Sequence, residues 1–400
     1  MLIRSPRPRY PRQGPSCLVI IIFLVISGIG LYVITNADTV RETFTPTVTP
    51  LPTQNAASLA ISGELFLRDG SYAEAIDAYE AALLLDDSNP EIYKSLLDLL
   101  IIEGEADRAL EWAERGNLLA PEDSELWTLL AAAQMLAGDR QADMGELTEA
   151  DTFYAAALRS AREAVTLDPN NARAYAYGAG AVLELEGFDG ILTAQEQMEF
   201  ALALAPDDPI VRRFRGALFQ NQGLYGNAIE EYQIAIENTN NPTLQADLLI
   251  LQARNSYALQ NLSSAILYFE DAIARDAGNA AAYDGLALMY FQLGEYPKAE
   301  ENAAIAKELD PTMVRAYARL GAAQYRQNNY APAIENLSYA VDRYQTVTLD
   351  NSIFFNMLGF AYIFEEDDCS KARPLFEQVL EAIVDEPNAL EGLDSCRGAG

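Results

Sequence analysis

Residues 280–313 read AAAYDGLALMYFQLGEYPKAEENAAIAKELDPTM. Their spacing predicts two helices joined by a tight turn. Tyr283, Leu286, Ala287 and Tyr290 recur at the three- and four-residue steps that place side chains on one helical face. Gly294 then ends the first helix, as a residue that takes positive φ without strain. Ala299, Ala303 and Ala306 line a second helix, and Pro311 breaks the chain before the next unit. Small side chains at Ala287, Ala299 and Ala306 let the two helices approach closely.

The same phrase returns along the chain. Ala265, Ala299 and Ala333 are 34 residues apart, as are Leu249, Tyr283 and Tyr317. Tyr93 and Trp127, Gly70 and Gly104, and Tyr296 and Tyr330 keep the same offset. Such self-similarity is the mark of a stacked repeat array. Nine units follow: 56–89, 90–123, 124–171, 172–208, 209–242, 246–279, 280–313, 314–345 and 352–386, with 387–396 opening a capping helix. Leu320-Gly321 and Leu358-Gly359 repeat one pair, and Gly63 and Gly216 occupy the same slot. Asp168-Pro169, Asp310-Pro311, Ala120-Pro121 and Ala205-Pro206 end units.

This pattern resembles the tetratricopeptide repeat family, in which a bulky residue precedes Leu-Gly, then Tyr, Ala, an aromatic, Ala and Pro. The resemblance covers 56–396. It implies an all-α, right-handed solenoid of about nine helix pairs. Some units depart from the pattern. The third carries about 14 extra residues, DRQADMGELTEADT at 139–152, and the fourth about three, so turns near 139–152 and 186–192 are expected to bend the superhelix. The fifth has Arg212 and Arg215 at bulky apolar positions, and the sixth has Gln252-Ala253 for Leu-Gly.

The first 55 residues are built differently. Residues 1–16 hold Arg4, Arg7, Arg9 and Arg12 among prolines, a basic tail that no helix suits. Residues 17–35 then contain no charge. As a helix of ~28 Å they cover a hydrocarbon core of ~30 Å. Asp38 and Glu42 follow, with only Arg41 basic, so the positive-inside rule puts 1–16 in the cytoplasm and the rest outside. A signal peptide cut after Ala37 is the competing reading, but its apolar core would be shorter. A buried core helix is disfavoured by the proline-rich flanks. Cys17 precedes the apolar run, where a lipoprotein acceptor would follow it. Residues 36–55, including TFTPTVTPLPT, read as an extended Pro/Thr-rich linker that would hold the array up to ~60 Å from a bilayer.

Composition excludes several chemistries. The 400 residues carry 27 Lys and Arg against 59 Asp and Glu, net −32, and no His. Nucleic acid is therefore not an expected partner, since phosphate binding needs clustered bases. Missing His removes the commonest general base and the Ser-His and Cys-His dyads. Three Cys cannot make a four-thiolate site. Gly178-x-Gly180 lacks a third Gly and a preceding strand, and no phosphate loop, nucleophile elbow or calcium loop is present. Glu365, Glu366, Asp367 and Asp368 read as a solvated turn. The expectation is a non-enzyme with no cofactor and no metal.

The resemblance implies that the concave surface, lined by the first helix of each unit, holds an extended peptide or a partner's helix. In this frame its exposed slots hold Arg173, Arg213, Arg254, Tyr257, Phe291, Arg315, Tyr325, Arg326, Asn356 and Phe360. Setting aside the five bases and two acids before residue 56 leaves 22 bases and 57 acids, net −35. Arginines gathered with aromatics on so acidic an array have the composition of a binding hot spot. The other reading pairs each Arg with a Glu on the next helix, which is worth little. The family's clamp for a C-terminal carboxylate is not expected, because Lys94 faces Asp98 and the required Asn residues are missing. Cys369 and Cys396, in the last unit and its cap, invite a disulfide in an oxidising space, although this register leaves up to ~10 Å between them. Together these readings predict a scaffold for protein–protein interaction, anchored through 17–35 in a bacterial cell membrane with its array outside the cytoplasm. The alternative is a solenoid subunit that presents substrates to a cell-envelope enzyme.

Overall fold

A computed structural model describes residues 17–35, 55–344 and 346–397, the side chain of Val33 excepted. The expected basic tail 1–16 and nearly all of the linker 36–55 lie outside them. The chain divides into a unit of residues 1–55 and a unit of residues 56–400. In the first, α1 (Cys17–Thr35) is a helix without a charged residue, and Leu18, Phe23 and Ile34 are exposed. Among the described residues no helix is long and apolar enough to cross a membrane. The side chain of Val33, inside α1, is outside the described ones.

Among its described residues the second unit has nine α-helix pairs, a short 3-10 turn at Gly187–Gly190 and a final α-helix. They are α2 (Ala56–Arg68) and α3 (Tyr72–Leu85), α4 (Pro90–Ile102) and α5 (Ala106–Leu119), and α6 (Ser124–Asp143) and α7 (Leu147–Leu167). Next come α8 (Ala172–Glu186) and α9 (Ile191–Leu204), α10 (Pro209–Asn221) and α11 (Tyr225–Glu237), and α12 (Pro242–Ala258) and α13 (Leu262–Arg275). The last are α14 (Ala280–Gln292) and α15 (Tyr296–Leu309), α16 (Val314–Arg326) and α17 (Tyr330–Val341), α18 (Ser352–Glu366) and α19 (Cys369–Ala382), and α20 (Pro387–Arg397). No strand occurs among the described residues.

Local chemistry starts and stops these helices. Asn89, Asp123, Asn171, Asp208, Asn241 and Asn279 cap first helices, each accepting a hydrogen bond from a backbone N–H one turn in. Pro90, Pro209 and Pro242 follow three of those caps, where a missing N–H costs nothing. The turn inside each pair needs one left-handed residue. Gly70, Gly104, Gly145, Gly223 and Gly294 supply it at φ of 75–86°, and Gln260, Asn328 and Asp367 take the same slot elsewhere.

Packing inside a pair rests on one contact repeated along the array. A small residue of the first helix receives a large one from the second, 16 or 17 positions later. A Cβ on Gly63, Gly138, Gly216 or Gly359 would lie only 2.4–2.8 Å from the ring of Tyr79, Tyr154, Tyr232 or Phe376. Ala265, Ala299 and Ala333, the residues that set the 34-residue period, are buried.

Three expectations change in detail. The sixth pair begins at Pro242 rather than 246, because Asn241 and Pro242 make a stronger start signal than the periodicity alone. The extra residues 139–152 do not form a loose turn. They lengthen α6 and α7, leaving only Met144–Glu146 between them. Arg212 and Arg215 are not misplaced apolar positions, since both reach the buried Glu231, at 2.8 and 3.2 Å. Gln252, in the Leu-Gly slot, is buried and donates to the Ile229 carbonyl.

Candidate functional site

The first helices face a lumen, and the array winds tightly enough for distant units to touch across it. Thr243, at the start of α12, donates to Glu103 just beyond α4, 140 positions away, at 3.1 Å. Arg315 of α16 contacts Asp143 at the end of α6, 172 positions away. A Cβ on Gly145 would lie 2.9 Å from the Arg343 carbonyl oxygen, so the α6–α7 turn is pressed against the chain after α17.

Beside the Arg315 and Gly145 contacts lies a cavity of about 670 Å³. Ala142, Gly145 and Leu147 of the lengthened pair form one wall. Tyr257, Leu288, Phe291, Ala322, Ile353 and Phe354 come from first helices, and Tyr344 from the segment joining the last two pairs. Arg315 and Arg319 are its charged residues on α16, with Asp350 and Asn351 opposite. Arg315 Nε donates to Asp284 Oδ2 at 2.8 Å, and Arg319 also pairs with that carboxylate and donates to the Asp284 carbonyl. Asp284 is buried and so needs both cations.

A second cavity, of about 860 Å³, lies towards the N-terminal pairs and includes Asp98, Arg173, Tyr177 and Asp208. Arg173 bridges Asp208 at 2.8 Å and reaches Asp98 at 3.8 Å. Asp139, Arg213 and Asp247 share a smaller space between these two cavities. Burial raises the Asp139 carboxyl above its usual range, against the pull of Arg213 and of the hydrogen bond from Tyr154. Asp247 is pushed up to about 6 by burial, opposed by Arg213 and the Asn279 amide. Each of these carboxylates keeps some solvent contact, so the walls of the lumen supply the desolvation. Desolvation lowers Arg254, and Arg315 adds to that, although its side chain keeps solvent contact.

The raised Asp247 has a measurable consequence. Between its ordinary 3.8 and about 6, the folded chain holds a proton there that the unfolded chain has lost. Stability from this group therefore falls as pH rises through that window and returns below it. The melting temperature is expected to rise on going from about pH 7 to about pH 5. Asp247→Asn should remove part of that slope. An Asp247→Asn profile parallel to that of the wild type would refute the assignment.

The ten groove residues divide into groups. Tyr257, Phe291 and Arg315 converge on the first cavity, and Arg173 lines the second. Arg213 lies beside the Phe214 ring, and no ion pair within 4.0 Å is formed by Arg213 or Arg254 among the described residues. Tyr325, Arg326 and Phe360 do not line the cavity but belong to an aromatic ladder beside it. Tyr325 packs edge-on against Tyr330, Arg326 covers Tyr296 at 5.3 Å, and Phe360 stacks on Phe364. Asn356 was placed in an exposed slot, but it is buried and donates to Glu386 at 3.0 Å. Its helix turns that face onto the cap. Cys369 and Cys396 are joined, with Cα atoms 5.5 Å apart, closer than the register alone suggests because α20 folds back along α19. Asp143, Arg319, Tyr344 and Phe354 were missed. The insertion 139–152 was the signal for Asp143, and the longer spacing before the ninth unit that for Tyr344 and Phe354.

Other motifs have structural explanations. Gly178 and Gly180 make room for Gln197 and Phe214. Lys94 is held by Glu91, Asp123 and Glu125 at 2.8–3.1 Å, which leaves no free ammonium for a carboxylate clamp. In the acidic run, Asp368 caps α19 and Glu366 pairs with Lys371. No metal-ligating group of three or more occurs among the described residues.

Comparison with known proteins agrees with the fold. One tetratricopeptide repeat model matches residues 66–133 and another matches 191–242 and 250–313. The chain is 36% identical over 76 residues to the Hsp70-Hsp90 organizing protein of Triticum aestivum, which is 19% of this chain and 13% of that protein. It is 30% identical over 106 residues to the photosystem I assembly protein Ycf3 of Rippkaea orientalis, 26% of this chain and 61% of that protein. It thus spans a small part of the organizing protein and under two thirds of Ycf3. Among solved structures, a human IFIT1 dimer with m7Gppp-AAAA aligns with TM-score 0.59 and 21% identity, over 84% of this chain and 80% of that one. The APC/C hetero-tetramer Cut9-Hcn1 aligns with TM-score 0.56 and 16% identity, over 79% and 57%. At these identities the structures share the fold alone. The chain carries tetratricopeptide repeats stacked as an all-helical solenoid.

Proposed function

We propose that this repeat array is a scaffold for a partner protein, tethered by α1 to a bacterial membrane with its repeats outside the cytoplasm. The cavity at Tyr257, Phe291 and Arg315 carries the reading. It joins aromatic walls to guanidinium groups inside a strongly acidic array, the composition that anchors partner side chains. The tether is supported by the 19 uncharged residues of α1, counting Val33, and by the four arginines that precede it. A disulfide between the only two cysteines of the array accords with an oxidising compartment.

The test uses the full chain in its native cells. It should sediment with membranes, and protease added to intact cells should remove the array. Solubilised in mild detergent, it should retain one stoichiometric protein partner. Tyr257→Ala and Phe291→Ala should release that partner while leaving the melting temperature within a few degrees. Full retention by both variants would overturn the cavity as the binding site, and protection from protease would overturn the placement.

A further inference from the structure

We infer that residues 139–152 form a strap across the lumen, and that Asp143 occupies on Arg315 the place of a carboxylate from an acidic segment of the partner. The inference rests on the reading of the cavity as the partner site. Three observations carry it. First, the extra residues make α6 and α7 the longest helices of the array, at 20 and 21 residues, and their turn reaches chain more than 150 positions away. Second, the strap supplies Ala142, Gly145 and Leu147 to the cavity, whose other residues come from the sixth pair onward. Lifting it would open the cavity along that side.

Third, the charges are unequal without the strap. Arg254, Arg315 and Arg319 gather near Asp143 and Asp284. Asp284 is already shared by Arg315 and Arg319. Removing Asp143 would leave the ion pairs of Arg315 and Arg319 resting on Asp284 alone, in an array of net charge −35. The fold thus shows the cluster accepting a carboxylate from across the lumen. The Asp143–Arg315 contact is partly exposed, at 37% and 27% of side-chain surface, so it is a weak and exchangeable bond. A partner's Glu or Asp can replace Asp143 on Arg315, and the partly exposed Asp143 is then left to solvent. The close seat of Gly145 on the Arg343 carbonyl sets where the strap closes.

The experiment measures fluorescence anisotropy of a labelled peptide that alternates Glu with Leu and Phe, added to the full chain in detergent. A counterpart with Gln for Glu is run beside it. Asp143→Asn is expected to tighten binding of the Glu peptide roughly five- to tenfold and to leave the Gln peptide unchanged. Arg254→Gln should weaken it by a similar factor, and since Arg254 makes no ion pair its loss should spare the fold. Bound peptide should also speed amide exchange within 139–152. Equal affinity of Asp143→Asn and wild type would overturn the strap while leaving the cavity reading intact. Equal binding of both peptides would overturn the acidic class. No binding by any variant would overturn the inference and the cavity reading together.

Discussion

Tyr232→Ala is expected to destabilise the array by ~3–5 kcal/mol, as loss of a large, fully buried aromatic does. Tyr232 has no exposed surface, and its ring fills the space left by Gly216. Relaxation cannot refill so large a hole, because the ring spans the crossing of two helices whose backbones are already close. The hydroxyl matters less. It is buried with no hydrogen-bond partner among the described residues. Tyr232→Phe should therefore cost little, or stabilise. Repeat units are held mainly by their neighbours, so the damage should fall on the pairs around α11. Trp112 and Trp127, both in the N-terminal pairs, report on a different part of the array. In urea, the helical circular dichroism of Tyr232→Ala should decline before the tryptophan fluorescence changes. A single transition at the wild-type midpoint would show that this contact does not hold the pair together.

Opening the Cys369–Cys396 disulfide is expected to cost ~3–4 kcal/mol, the loop-closure value for the 27-residue separation. The effect should be local. The disulfide ties α20, the last described element, to the start of α19. Otherwise α20 is held by the burial of Ala389, Gly392 and Cys396, with Gly392 seated on the Phe376 ring. Cys396→Ser should speed amide exchange over 387–397 by at least a hundredfold at unchanged exchange in α6 and α7, consistent with that free energy. Slow exchange in the cap of the reduced or substituted chain would mean that packing alone seats α20.

The candidate site was only partly legible. Tyr257, Phe291 and Arg315 could be assigned to the lumen because first helices stack, so a position on one repeats on the next. Arg173, Arg213 and Arg254 follow the same logic. Asn356 did not, because Glu386, at the turn into the capping helix, reaches back and takes its amide. Tyr325, Arg326 and Phe360 sit near the turns of their pairs, where a small change of helix rotation carries a side chain from the lumen to the edge. Tyr344 comes from the segment between pairs and Phe354 from the first turn of α18 just after it, whose register that longer segment sets.

Helix pairs, their number and most of their boundaries were determined by the sequence itself. The signals are local: alanines and aromatics at 34-residue spacing, Asn or Asp caps, and a left-handed residue in each turn. Each acts within a span of a few dozen residues, and each is written in the residues that carry it. The winding of the array belongs to the tertiary structure alone. It sums small rotations over many interfaces, so no single unit records it. That winding brings Asp143 to Arg315 and Gly145 to Arg343, and it converts an insertion expected to bend the superhelix into one wall of a cavity.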